Sequence, residues 1–319
     1  MFTLGISTYD DYEGVYFTIQ AARLHHPEIS EIIILDNNPT SIHGKFNKKL
    51  ANWQSPGVNL RYIEYTEKKS TSNRSKVFEF VTNEHVIIAD SHVLFFPNSI
   101  KALKDFYLND HKPYDFIQGP MMYDDLKSYA THLDPIWRSN FYGTWGTKES
   151  NDKYFEIPSM GLGSFSCKKS EWLGFNPLFK GFGGEEGYIH EKYRKKGGRC
   201  LCLQDFKWLH RFNRPNGIPF PNILEDRCSN YFIGRFELEM GYDDIVEHFS
   251  KEGLDKNKVQ ACFNTAHFAF YKKYPDKLIF TAEELKQRLN ISSWSTTLAN
   301  SFVRFFNNIY VIITSPEIS

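Results

Sequence analysis

The sequence has no run of about 18 apolar residues, the length a helix needs to cross a bilayer, so no spanning helix is expected. It also lacks a basic segment followed by an apolar one at its start. Residues 2–7 enter a strand pattern at once, and no signal peptide is expected. Net charge is missing too, since 38 Lys and Arg face 38 Asp and Glu. Bulk electrostatics therefore give no drive toward nucleic acid or an anionic membrane. Short basic clusters such as Lys68-Lys69 and Arg194-Lys195-Lys196 read as solvated surface. Cys167, Cys200, Cys202, Cys228 and Cys262 contain no C-x-x-C spacing, which argues against a disulfide framework or a thiolate zinc site. Reduced thiols and a cytoplasmic location are the expectation. No internal repeat or low-complexity tract is evident.

What the sequence does have is length and aromatic content. At 319 residues it can bury a sizeable core without staples. Aromatics make up 16% of it, enough to fill a core and still line a cleft. The first half alternates strand and helix patterns. Strands are expected at 2–7, 29–35, 58–65 and 85–89, with helical spacing between them at Tyr12, Tyr16 and Ile19, and again over 75–82. Ile32-Ile33-Ile34-Leu35 is a continuous apolar run, as in a parallel strand buried on both faces. Asn98 is placed to cap the next helix. This rhythm predicts an α/β fold: an open, mostly parallel sheet with helices on both faces. Residues 115–210 read as less regular. Within them, a helix is expected to start after Gly184 and stop at Gly197-Gly198, with a further strand at 199–203. Helical patterns then dominate over 242–250, 255–274 and 293–310, and Thr281-Ala282-Glu283-Glu284 reads as a capping box. The expected division is a catalytic domain over 1–215 and a C-terminal helical region over 216–319.

Ligands of open α/β sheets bind outside the C-terminal strand ends. Four constellations sit at such places. Asp90-Ser91-His92 follows the strand of residues 85–89, with Asp90 and His92 on one face because the strand period is two. A carboxylate and an imidazole suit Mn2+ or a similar divalent ion, which neutralises a leaving diphosphate. His210 is a third candidate ligand, followed by Arg211 and Arg214, whose forks suit phosphate oxygens. Gly181-Phe182-Gly183-Gly184-Glu185-Glu186 lets the backbone pass close to a ligand and sets two carboxylates at a helix start. Thr8, Tyr9 and Asp10, with Asp36 and Asn38, are candidates for base and ribose, although turn chemistry accounts for Asp36-Asn37-Asn38-Pro39 nearly as well.

These motifs resemble the family-2-type glycosyltransferases of the GT-A fold, and within them the polypeptide N-acetylgalactosaminyltransferases. Asp90-Ser91-His92 is similar to the Asp-Ser-His metal motif of those enzymes, and Gly183-Gly184-Glu185 to their Gly-Gly-Glu segment. His210 stands where a third metal ligand follows. Met160-Gly161-Leu162-Gly163-Ser164-Phe165 resembles their small-residue stretch. Thr8, Asp10 and Asp36 match nucleotide-holding positions, and Asn73-Arg74 resembles a donor-binding segment. The resemblance covers about residues 2–215. It implies transfer of a sugar from a nucleotide-diphosphate donor, a UDP-sugar first among them, with Mn2+ or Mg2+ at Asp90, His92 and His210. Gly184 and Arg74 would contact the donor, and Glu185 would anchor its hydroxyls. Glu186 replaces the Asn of that family's motif and resembles the acidic pair of inverting enzymes, which makes it the candidate base if the reaction inverts.

Two other readings stand beside this one. A sugar nucleotidyltransferase needs a Gly-rich basic loop after the first strand, and Ser7-Thr8-Tyr9-Asp10-Asp11-Tyr12 is neither. A non-catalytic nucleotide- or carbohydrate-binding module would not need the metal triad. The acceptor stays open among a glycan, a protein, a lipid-linked glycan and, as in phage-type enzymes, hydroxymethylated DNA pyrimidines. Trp145 and Trp208 are candidate walls for sugar or acceptor.

Overall fold

The computed structural model describes residues 1–53, 57–212, 220–274 and 277. In chain order, β1 (Phe2–Thr8) leads to α1 (Tyr12–His25), β2 (Ile29–Asp36), α2 (Ile42–Leu50), β3 (Asn59–Glu64) and a 3-10 turn at Thr71–Lys76. Then come α3 (Val77–Phe80), β4 (His85–Asp90), β5 (Val93–Phe95), α4 (Ser99–Asn109), β6 (Phe116–Gln118), β7 (Met121–Met122) and β8 (Tyr129–Ala130). A hairpin of β9 (His132–Arg138) and β10 (Phe141–Gly146) precedes β11 (Tyr154–Glu156), β12 (Ser164–Lys168), α5 (Glu185–Lys195), β13 (Cys200–Leu203) and β14 (Trp208–His210). The described helices α6 (Leu224–Glu237), α7 (Asp243–Lys251) and α8 (Lys256–Lys273) follow.

Eight strands form the central sheet in the order β11-β13-β6-β12-β4-β1-β2-β3. β3, β2, β1 and β4 run parallel, as the continuous apolar runs of β2 and β4 imply. Ile32, Ile33, Ile34 and Leu35 are all fully buried, and each such side chain stabilises the fold by roughly 1.5–3 kcal/mol. The other half is mixed, because β12 runs antiparallel to both β4 and β6. A second sheet, β5-β14-β7-β8, adjoins the strand ends that carry the site. The stretch over 115–210 is therefore far more regular than its sequence implied. Its strands are short and partly exposed, and His132–Arg138 interrupts alternation with Pro135. A second correction concerns Asn98. It starts α4 in the left-handed region at φ 65° and makes no side-chain cap.

Residues Met1–Phe268 form one compact unit and Ala269–Ser319 another. Within the first unit, α6 packs against α5 and α7 against α6. The capping box at 281–284 and the helix expected over 293–310 lie outside the described residues. Among the described residues no helix is long and apolar enough to cross a membrane.

Parallel pairing positions the site. The register sets Thr8 beside Asp36 and Ser7 beside Asp90, so three strands end level along one edge.

Candidate active site

The third metal-ligand candidate is brought in by a β-ladder. β14 pairs antiparallel with β5, placing His210 opposite Val93, and the Arg211 amide extends the ladder by donating to the His92 carbonyl at 3.2 Å. His92 and His210 therefore meet although 118 residues separate them, with their Nε2 atoms 3.1 Å apart. Asp90 splits its two oxygens. Oδ2 lies 3.9 Å from His92 Nε2, and Oδ1 lies 3.4 Å from Arg74 Nη1. One ligand atom from each of Asp90, His92 and His210 lies within 4.8 Å of the others. A carboxylate and two imidazoles converging this way fit one divalent ion of intermediate hardness.

The three line a cleft of about 310 Å³, together with Thr8, Tyr9, Arg74, Glu186 and the aromatic side chains of the β9–β10 hairpin. That size is ordinary for a small-molecule site. Residues 3–168, more than half of the chain, match Glycosyl transferase family 2. The chain belongs to glycosyl transferase family 2. Among solved structures it is similar to GalNAc-T7 crystallised with UDP, GalNAc and Mn2+, with a TM-score of 0.59 and 13% identity over 86% of this chain and 56% of that one. The chain thus spans little more than half the length of that relative. It is also similar to S. aureus TarS 1-349 in complex with UDP-GlcNAc, with a TM-score of 0.50 and 13% identity over 91% of this chain and 78% of that one. Likeness at this identity shows the fold, which is GT-A. Among curated proteins no sequence match is found.

In this family 2 chain the Gly-rich loop is fastened to the 3-10 turn. The Thr71 amide donates to the Gly181 carbonyl at 2.9 Å, and the Thr71 hydroxyl donates to Glu185 Oε1. Gly183 and Gly184 have φ of 97° and 95°, a region L side chains rarely enter, so the turn that presents the two acids needs glycine. Glu185 is buried and its Oε2 has no protein partner. Glu186 faces the cleft. Burial first, and the negative charge of Glu185 second, raise its pKa to about 7 against the pull of Arg74 and Arg227. A carboxylate tuned to this value is matched to proton abstraction near neutral pH.

The β1–α1 loop supplies the other wall. Thr8 is buried and donates to the Asp11 carbonyl at 3.3 Å, while Tyr9 carries the Lys69 ammonium 4.6 Å from its ring centre. Asp10 adopts φ 56°, and its Oδ1 is buried without a partner. Asp36 is fully buried. Its carboxylate is held by the Asn38 amide at 2.8 Å, the Tyr62 hydroxyl at 3.1 Å and Asn47 at 3.4 Å. Burial raises the Asp36 pKa despite those hydrogen bonds. Asn37, not Asn38, lines the cleft. Arg74 holds the turn through Thr71 O at 2.9 Å and also donates to Leu162 O. Arg214 lies outside the described residues. Trp145 and Trp208 both line the cleft; Trp145 stands beside Gly161, and Trp208 is fully buried and donates to Gly119 O at 3.0 Å.

Sequence reasoning passed over Asp11, Thr71, Arg138, Phe141 and Tyr142 as site residues, all of which line the cleft. Asp11 carried only the signal of a helix cap, an Asp three residues ahead of Gly14 at a helix start, which does not point to the cleft. The hairpin residues had none, because their place depends on how distant segments pack. Tyr142 is held by the Tyr231 hydroxyl of α6 at 2.8 Å. Arg227 of α6 is fully buried, its guanidinium 3.8 Å from the Phe141 ring centre, and it donates to Phe182 O at 3.2 Å. The helical region thus buttresses the aromatic wall.

Proposed function

We propose that this glycosyltransferase moves a sugar from a nucleotide-diphosphate donor, a UDP-sugar foremost, to an acceptor hydroxyl, with inversion at the anomeric carbon. The observation that carries the reading is that Asp90, His92 and His210 share one cleft with a carboxylate tuned to about 7. Mn2+ or Mg2+ held by Asp90, His92 and His210 would supply charge neutralisation to the leaving diphosphate. GalNAc-T7 was crystallised with UDP and Mn2+, and TarS 1-349 with UDP-GlcNAc, which supports the choice of donor and metal.

The chain's own residues do the rest. Thr8, Tyr9 and Asn37 flank the place for base and ribose. Asp10, Asp36 and Asn38 shape that edge from below. Arg74 and Gly184 bring donor-facing groups to the Gly-rich loop, and Arg211 follows the third ligand; Arg214 is proposed from its sequence position alone to bind the phosphates. Glu185 anchors donor hydroxyls with the oxygen that Thr71 leaves free, and its charge keeps Glu186 basic. Glu186 takes the proton from the acceptor hydroxyl as that oxygen attacks. The acceptor lies against Phe141, Tyr142, Trp145 and Phe182, a surface suited to the apolar faces of a glycan ring. A reducing, cytoplasmic setting fits the five buried free thiols, with Cys200 and Cys202 pushed by burial up to about 12.

The test is turnover of a panel of UDP-sugars in Mn2+, with the product anomer read by NMR. Inversion and its loss in Glu186→Gln are expected. A retained configuration would remove Glu186 from the role of base, and no donor cleavage with any nucleotide sugar would end the proposal.

A further inference from the structure

Asp11 is not one of the three side chains whose ligand atoms converge, yet it reaches one of them. It caps α1, with Oδ1 accepting from the Gly14 amide at 2.9 Å. Its other oxygen turns toward the metal motif. Oδ2 accepts from the Ser91 hydroxyl at 2.7 Å and lies 3.6 Å from His92 Nδ1. Ser91 Oγ itself is 3.4 Å from the same Nδ1. Both Asp11 and His92 are largely shielded from water. Residue 14 must be glycine for this arrangement, because a Cβ there would stand 2.3 Å from Asp11 Oδ2.

Counting donors settles the proton. An ionised carboxylate only accepts, and a serine hydroxyl has one proton, which Ser91 gives to Asp11. Asp11 Oδ2 and Ser91 Oγ, the two side-chain oxygens beside His92 Nδ1, both act as acceptors toward it, so in the neutral imidazole they favour the proton on Nδ1. Nε2 is left with its lone pair, and it faces His210 Nε2 at 3.1 Å and Asp90 Oδ2 at 3.9 Å. We infer that Asp11 is a positioning residue for metal uptake: with Ser91 it fixes the tautomer and ring orientation of His92, so that Nε2 is presented as a ligand before the ion arrives. Carboxylates that hold a ligating histidine from behind typically change metal affinity 10–100-fold when removed. This rests on the reading of Asp90, His92 and His210 as metal ligands.

The test joins two readouts on metal-free and Mn2+-titrated protein. Long-range 1H–15N NMR of protein labelled in histidine, with His92 assigned through His92→Gln, should show a proton on Nδ1 and a bare Nε2. Asp11→Asn keeps an oxygen for the Gly14 amide but offers an N–H to Nδ1, and it should move His92 toward the Nε2–H tautomer. Asp11→Ser keeps a helix cap without the carboxylate. In both variants the Mn2+ dissociation constant, read by electron paramagnetic resonance, should rise about 10–100-fold, with metal-free melting close to wild type. An Nε2–H tautomer in the wild type, or unchanged Mn2+ affinity in both variants, overturns the role of Asp11. If the wild type takes up no Mn2+, the metal reading fails instead, and the wild-type tautomer still decides whether Asp11 holds His92.

Discussion

His210 sits opposite Val93 in the β14–β5 ladder, and this register carries its Nε2 to 3.1 Å from that of His92. The site is thus a product of strand pairing, with one ligand following β4 and the other closing the last strand of the second sheet. His210→Ala should keep the fold, since the neighbouring Trp208 remains buried and bonded to Gly119. Mn2+ affinity should fall by at least about 100-fold, beyond the 10–100-fold cost of losing an outer partner. Isothermal titration with Mn2+ checks this, and an unchanged affinity would take His210 out of the site.

Glu186 predicts the pH profile. Its pKa is raised from 4.5 to about 7 by burial and by Glu185. As a base it works only when deprotonated, so the transfer rate should rise with pH, have its midpoint near 7 and level off above. Glu186→Gln should lower kcat about 10²–10⁴-fold while leaving nucleotide binding intact.

The same shift bears on stability. The folded protein holds the Glu186 proton more tightly than the unfolded chain does. The stabilisation from this group is therefore full below pH 4.5 and is lost as pH rises through about 7. Urea denaturation of Glu186→Gln should lack this decline, and the gap between variant and wild type should widen across that window. Parallel curves would contradict the assignment.

Away from the chemistry, Asp115 is fully buried and grips Arg199 with two bonds of 2.8 and 2.6 Å. Its Oδ2 also accepts from the Lys112 amide at 2.8 Å. Asp115→Ala strands a shielded guanidinium at the start of β13 and should cost about 3 kcal/mol in urea denaturation. A cost below about 1 kcal/mol would place the pair among solvent-screened surface bridges.

The proposed placing of the acceptor against the aromatic wall is tested at Trp145. Trp145→Ala should raise the acceptor KM about fivefold, in keeping with the roughly 1 kcal/mol that an aromatic contact adds beyond area burial. The donor KM should stay within about twofold, as the base-and-ribose edge at Thr8, Tyr9 and Asn37 is a different wall.

Much of this was legible because burial on two faces writes itself as continuous apolar sequence. β2 and β4 are such runs, and their ends named Asp36 and Asp90 directly. Gly183 and Gly184 were legible for a related reason, since positive φ demands glycine. The β9–β10 hairpin was not, because half-exposed strands carry mixed residues and Phe141 and Tyr142 are held in part by Arg227 and Tyr231 on the distant α6. Asp11 was hidden by its own second role, for an acid ahead of Gly14 reads as a helix cap and gives no sign of the His92 behind it. His210 could be named as a third candidate from its place after the strand of residues 199–203, but not brought to His92, because the ladder that places it joins segments over a hundred residues apart.

The central claim is a metal-dependent nucleotide site, and thermal shift of the full chain with UDP, GDP, CDP and UDP-sugars, with and without Mn2+, tests it most directly. Ligand that binds only the folded state stabilises it by about 2.7 kcal/mol at a hundredfold excess over Kd. A UDP compound should therefore raise the melting temperature clearly in Mn2+ and far less in EDTA. Equal melting with every nucleotide, with metal and without, would contradict the account.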